Sequence, residues 1–152
     1  MAYTSVEGRQ QLLDALGEAT DEVGFALASL GDAYEQLDEQ TADRLEEELF
    51  GPVQVAYGRL KRNHAEFADR HGLAGRSFES QEAGLPSTGA KGFIDHANEA
   101  IGRADGLLAG LQDSPESLEV GDAQLRAGVT EVRELLGRLG PRSRELVRTL
   151  GR

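Results

Sequence analysis

Apolar residues recur along this chain at alternating spacings of four and three, the pattern of helices that each bury one stripe. The first segment, from Thr4 or Ser5 to about Asp38, aligns Leu12, Leu16, Ala19, Val23, Ala26, Leu30, Ala33 and Leu37 in an unbroken heptad seam. Leu13, Leu27 and Tyr34 widen the stripe on one side, as in a helix of a globular bundle rather than a bare two-stranded coil. Asp38-Glu39-Gln40-Thr41 then reads as a tight turn, with Thr41 placed to cap a second helix whose first turns carry Asp43, Glu46 and Glu47. That second helix, about 41–71, turns Leu45, Leu49, Val53, Ala56, Leu60, His64, Phe67 and His71 inward on an eleven-residue period. Gly51-Pro52 inside it predicts a bend or a local opening, because proline removes one backbone hydrogen bond.

Residues 72–89 carry four glycines, Pro86 and no sustained period, so they form a long connection. A connection of this length in a compact domain is a lid, a crossover along the bundle or mobile chain, and Leu73, Phe78 and Leu85 are its apolar anchors. The third helix, about 90–113, aligns Ile94, Ala97, Ile101, Ala104, Leu108 and Leu111, with Phe93 and Leu107 beside them. The fourth, about 121–150, aligns Leu125, Val129, Val132, Leu136, Leu139, Ser143, Leu146 and Leu150, with a bend or restart at Gly140-Pro141. The expected fold is an all-α antiparallel four-helix bundle, a single domain over 1–152, with the loop 72–89 between helices 2 and 3. The many alanines in the seams imply close helix approach and a thin core.

Composition narrows the compartment and the partners. The chain has no cysteine, which removes disulfides and thiolate metal sites and calls for no oxidising compartment. No run of about eighteen apolar residues occurs, and Met1 leads into Tyr3, Thr4, Ser5 and Glu7 without the basic-then-apolar order of a signal peptide. A cytoplasmic protein that spans no membrane is expected. A net charge of −11 argues against nucleic acid as a partner. The charge is uneven: residues 1–48 balance at −11 and residues 126–152 at +4, as expected if an acidic first helix lies beside a basic last one.

Catalytic apparatus is not visible. The chain has no Glu-x-x-His pair of a di-iron bundle, no phosphate loop, no His-Glu-x-x-His helix and no Gly-x-Ser-x-Gly elbow, so neither an enzyme nor a cofactor protein is expected. An antiparallel path from helix 2 to helix 3 would bring His64, His71 and His96 to one end, near Glu7, Asp14 and Glu18. A divalent metal could bind such a group, whereas a buried His64 hydrogen-bonded to a carboxylate is the structural alternative. Tyr34-Glu-Gln-Leu-Asp38 matches a Tyr-x-x-x-Asp/Glu pattern and resembles the export signal of type VII secretion substrates, which are often helical hairpins. In that family the signal follows the second helix and a Trp-x-Gly turn joins the pair. Here Tyr34 falls in the first helix and there is no tryptophan.

The glycines are more informative. Gly17, Gly24 and Gly31 recur every seven residues in the first helix, and Gly102, Gly106 and Gly110 every four in the third. Each costs a helix about 1 kcal/mol relative to alanine, a loss that close packing against another backbone can return. Around Gly24, Phe25 and Ala28 complete a small-residue strip on a face expected to be solvent in a lone bundle. The expected function is therefore a non-catalytic helical interaction or scaffold protein, pairing with itself or another helical protein through Gly24, Phe25, Ala28, Gly31, Gly102, Gly106 and Gly110. The alternatives are a metal- or small-ligand-binding bundle with a site near His64, His71 and His96, and an exported helical protein of the type VII kind.

Overall fold

The computed structural model describes residues 5–150, so Thr4 lies outside them. Among the described residues the chain is all-helical, without a strand: α1 Ser5–Tyr34, α2 Glu39–Leu45, a π-turn Glu46–Phe50, α3 Gly51–Arg70, a 3-10 turn Pro86–Thr88, α4 Gly89–Asp113, α5 Pro115–Glu119, α6 Ala123–Gly137 and α7 Leu139–Leu150. Leu45 and Gly51 keep helical backbone angles, so α2, the π-turn and α3 are one continuous rod.

The ends of these helices follow from their polar groups. α1 stops at Tyr34, short of the expected Asp38, because the Gln36 and Leu37 N–H groups donate to Ala33 and Tyr34 and tighten the last turn. Asp38, not Thr41, caps the next helix: its carboxylate accepts the Thr41 N–H at 2.8 Å, which starts α2 at Glu39. At Gly51-Pro52 the expected opening takes the form of the π-turn, in which the Gly51 N–H donates to Glu46. Pro52 has no N–H for Glu48, and the guanidinium of Arg142 donates to that carbonyl from α7 at 3.4 Å. α3 ends where Gly72 adopts φ +65° and the Leu73 N–H donates back to Ala68, a geometry that costs glycine least. The short α5, which the periodicity did not reveal, starts at Pro115, whose missing N–H is harmless at that position, behind the Ser114 cap.

The four heptad-like seams are the buried faces. Leu12 to Ala33, Leu45 to Phe67, Ile94 to Leu111 and Leu125 to Leu146 form one apolar cluster, with Leu37 and Leu150 packed partly exposed at its edge. Fully burying one such leucine contributes about 2 kcal/mol, so the cluster dominates the favourable side of folding.

Helix directions can be read from the contacts. Gly17, Gly24 and Gly31 of α1 face His64, Tyr57 and Phe50, so the first rod and the second are antiparallel. Arg103 pairs with Glu22 at 2.8 Å, while Gly110 and Leu111 adjoin Gln11 and Leu12, so α1 and α4 are antiparallel too. α6 runs against α3 through Arg59–Glu131 and Arg70–Asp122, and against α4 through Arg133–Asp105. Neighbouring rods are thus antiparallel, but α3 and α4 point the same way. The antiparallel path expected from helix 2 to helix 3 is not taken, because residues 71–88 run back along the molecule as a crossover. Leu73 packs on the core and Ala83 is buried in it, whereas Leu85 is exposed instead of anchoring the chain.

The charge pairing also departs from expectation. Asp21 and Glu22 of the acidic first helix pair with Arg76 of the crossover and Arg103 of α4, while Arg133 of the basic last helix pairs with Asp105 of α4. The reason is adjacency: α1 has its extensive contacts with α3 and α4.

Candidate functional site

The strip at Gly24, Phe25, Ala28 and Gly31 does not face open solvent. α1 turns it toward α3, where a Cβ on Gly24 would meet Tyr57 at 3.1 Å and the Gln81 amide at 3.2 Å. Phe25 and Ala28 pack partly buried on the core. Gly17 and Gly24 therefore admit the chain's own His64, Tyr57 and crossover, which corrects the expectation of a free face there, whereas Gly31 is partly exposed with Phe50 3.9 Å from where a Cβ would stand. Beyond them the α1–α3 groove holds a cavity of about 320 Å³, walled among others by Ala28, Gly31, Phe50, Tyr57 and Lys61. A second of about 280 Å³ adjoins it through Gly31 and Phe50 and reaches Tyr34, Glu35 and Glu46. The Lys61 ammonium lies 4.4 Å from the centre of the Tyr57 ring. Burial, with the Asp21 carboxylate next in weight, pushes the Tyr57 hydroxyl above its ordinary value, partly offset by Arg76.

Gly102, Gly106 and Gly110 have the opposite surroundings. They are exposed on the outer side of α4, and a Cβ on any of them would meet nothing within 4 Å. Gly106 and Gly110 border a groove of about 270 Å³ between α1 and α4, lined by Leu12, Ala15, Leu107 and Leu111. Gly128 of α6, by contrast, sits at a close helix approach, where a Cβ would overlap the Asn63 amide of α3. A single glycine has no period, so spacing did not reveal it.

The three histidines are not brought together. His64 is buried beside Gly17, with its ring edge-on to Phe78 of the crossover at 5.1 Å. Burial, then the nearby Arg76, hold its imidazole below the ordinary value, against the opposing pull of Asp14 and Asp21. Among the described residues no hydrogen bond reaches its Nδ1, so the expected carboxylate partner is not there. His71 donates from Nε2 to Asp122 at 2.8 Å, and His96 is exposed on α4. Because α3 and α4 run parallel, His64 sits level with Gly17 while His96 lies N-terminal to Arg103, which is level with Glu22; no group of three possible ligands forms among the described residues. Zinc titration is expected to give no one-to-one complex that His64→Ala abolishes. A stoichiometric complex lost in that variant, measured by calorimetry, would restore the metal reading.

Tyr34 is just over one-third exposed at the end of α1, and Asp38 is occupied as the cap of α2. Sequence patterning singled out Phe78 as an anchor of the crossover but missed Arg76 and Gln81. Arg76 clasps Asp21 through two hydrogen bonds, and the Gln81 amide donates to the Asp21 carbonyl at 2.7 Å. No local periodicity marks such residues, since their partners lie about sixty positions away. Set against known proteins, the chain matches no family model, no curated protein and no solved structure.

Proposed function

We propose that this protein is a non-catalytic helical interaction protein, an antiparallel four-helix bundle that self-associates or docks a partner helix along the outer face of α4. One observation carries the proposal: Gly102, Gly106 and Gly110 stand exposed at four-residue spacing, and a Cβ on any of them would meet nothing within 4 Å. Inside the molecule their helix cost of about 1 kcal/mol each is not returned by packing. A second helix lying along them could approach α4 closely and bury the adjoining Leu107. The partner is protein rather than nucleic acid on grounds of net charge, and a cytoplasmic setting suits a chain without cysteine. No helix among the described residues is long and apolar enough to cross a membrane.

The test is substitution of Gly102, Gly106 and Gly110 together by leucine. Helix propensity should raise the stability of the isolated chain by about 2 kcal/mol, while the native mass measured by light scattering falls to that of the monomer. A wild-type chain that is monomeric at high concentration and ignores added helical partners overturns the proposal. Gly24→Leu is not an equivalent test, because it would collide with Tyr57 and Gln81 and disturb the fold.

A small-ligand reading has one observation in its favour, the aromatic cavity between α1 and α3 at Phe50 and Tyr57. It departs from the sequence expectation in lying away from His71 and His96. The export reading rests on Tyr34 and Asp38, and secretion of the intact chain, lost on Tyr34→Ala, would support it in place of the cytoplasmic one.

A further inference from the structure

Residues 74–82 cross the α1–α3 groove between two apolar anchors, Leu73 and Ala83. Over that stretch the fastenings to α1 are the Arg76–Asp21 pair, with both side chains nearly half exposed, and the Gln81 hydrogen bond to the Asp21 carbonyl. Exposed pairs of this kind hold weakly. On the α3 side, Phe78 rests against His64, and Arg76 lies 4.1 Å from the centre of the Phe78 ring.

His64 is 3% exposed beneath that segment, and no hydrogen bond reaches its Nδ1 among the described residues. A Cβ on Gly17 would lie 3.4 Å from the Arg76 guanidinium and 3.6 Å from His64 Nε2, so the cation and the imidazole share one corner of the groove. A neutral ring tolerates this place. A protonated ring has two N–H donors to satisfy and a cation beside it. The charged groups that bear on it are Arg76 of the crossover, which opposes protonation, and Asp14 and Asp21 of α1, which favour it; Asp21 is already held by Arg76. Lifting the segment would return the ring to water and relieve both penalties.

We propose that residues 74–82 form an acid-released strap, which lifts from the α1–α3 groove when His64 is protonated and uncovers Gly17, Gly24 and the cavity beside Tyr57. The sign follows from linkage: His64 takes up a proton more readily with the strap open, so closure is at full strength above the ordinary histidine range and weakens as pH falls through it. Each further unit of pH costs closure up to tenfold, until the closed state also titrates. The device works independently of what, if anything, binds the groove or α4.

The experiment is a nuclear magnetic resonance titration of the whole chain from pH 8 to pH 5, with far-ultraviolet circular dichroism recorded alongside. The Phe78 ring and the amides of 74–82 should shift with the midpoint of the His64 ring protons, contacts from Phe78 to α3 should fade, and helix content should hold. His64→Phe keeps the ring contact and should abolish the pH response. If that variant does not fold, Asp21→Asn serves instead: it weakens the Arg76 clasp and removes an anion that favours a protonated ring in the closed state, so the strap should open at a higher pH. The proposal is overturned if His64 titrates while the strap signals stay still, or if they move unchanged in His64→Phe. An unshifted midpoint in Asp21→Asn overturns it equally.

Discussion

Leu30→Asp, or Leu136→Asp, is expected to leave the chain unfolded at room temperature. Both leucines are buried, at 1% and 3% exposure, in the seams of α1 and α6. Truncating such a leucine costs about 2–5 kcal/mol, and a carboxylate in its place adds a desolvation penalty of several kcal/mol that no apolar neighbour offsets. A domain of ordinary stability holds only about 5–15 kcal/mol in reserve. Circular dichroism should show the loss of helix and of a cooperative thermal transition. Glu35→Ala, at an exposed position, serves as the control and should change stability by less than about 0.5 kcal/mol. Unchanged melting of Leu30→Asp would mean that the buried seam of α1 is not where the structure puts it.

The second large effect is expected at Asp122. This carboxylate caps α6 by accepting the Leu125 N–H at 2.7 Å, takes two hydrogen bonds from Arg70 at 2.8 and 3.0 Å, and accepts from His71. One side chain thereby joins the end of α3 to the start of α6, with negative charge at a helix N-terminus and positive charge at a C-terminus. Burial opposes ionisation, but Arg70, the Leu125 N–H and His71 outweigh it and hold the carboxyl far below the usual carboxylate range. Asp122→Ala loses the cap, about 1 kcal/mol, and strands the Arg70 and His71 donors, for a total of about 2–4 kcal/mol. Thermal melting should fall by several degrees, with Asp122→Asn intermediate because its amide oxygen can still cap. Since the folded-state carboxyl titrates lower than the unfolded one, its contribution is complete above the ordinary aspartate value. It disappears as pH falls through the lowered one. The gap between wild type and Asp122→Asn should therefore close in strong acid. Equal melting of wild type and Asp122→Ala at neutral pH would show that the junction carries no weight.

The two sites differ in how far the sequence disclosed them. Leu30 and Leu136 belong to a period, and a period is visible one turn at a time. Asp122 was legible only as the start of a helix, because Arg70 and His71 meet it through the packing of α3 on α6, about fifty residues apart in the chain. The histidines failed for the same kind of reason. Placing His64 near His96 required the path of the connection between their helices, and 72–89 has no period from which a path could be read. The α1 glycines were recognised as small positions that accommodate a neighbour, but the neighbours are Tyr57 and Gln81 of the same chain.

Sequence by itself determined that the chain is helical and which apolar residues each long helix buries, and it placed the interruptions only to within a few residues: α1 stops at Tyr34 rather than Asp38, and Asp38, not Thr41, caps α2. These properties follow from side-chain spacing and backbone chemistry within a few turns, and they hold whichever helices become neighbours. Tertiary structure alone decided that the crossover runs back along the molecule, that α3 and α4 are parallel, and that His64 lies under Phe78 while His96 stays exposed. It also decided that Gly24 is covered and Gly102, Gly106 and Gly110 are open. An apolar stripe specifies that it must be hidden, not by which partner; that choice belongs to the fit of whole helices and to the reach of the aperiodic chain between them.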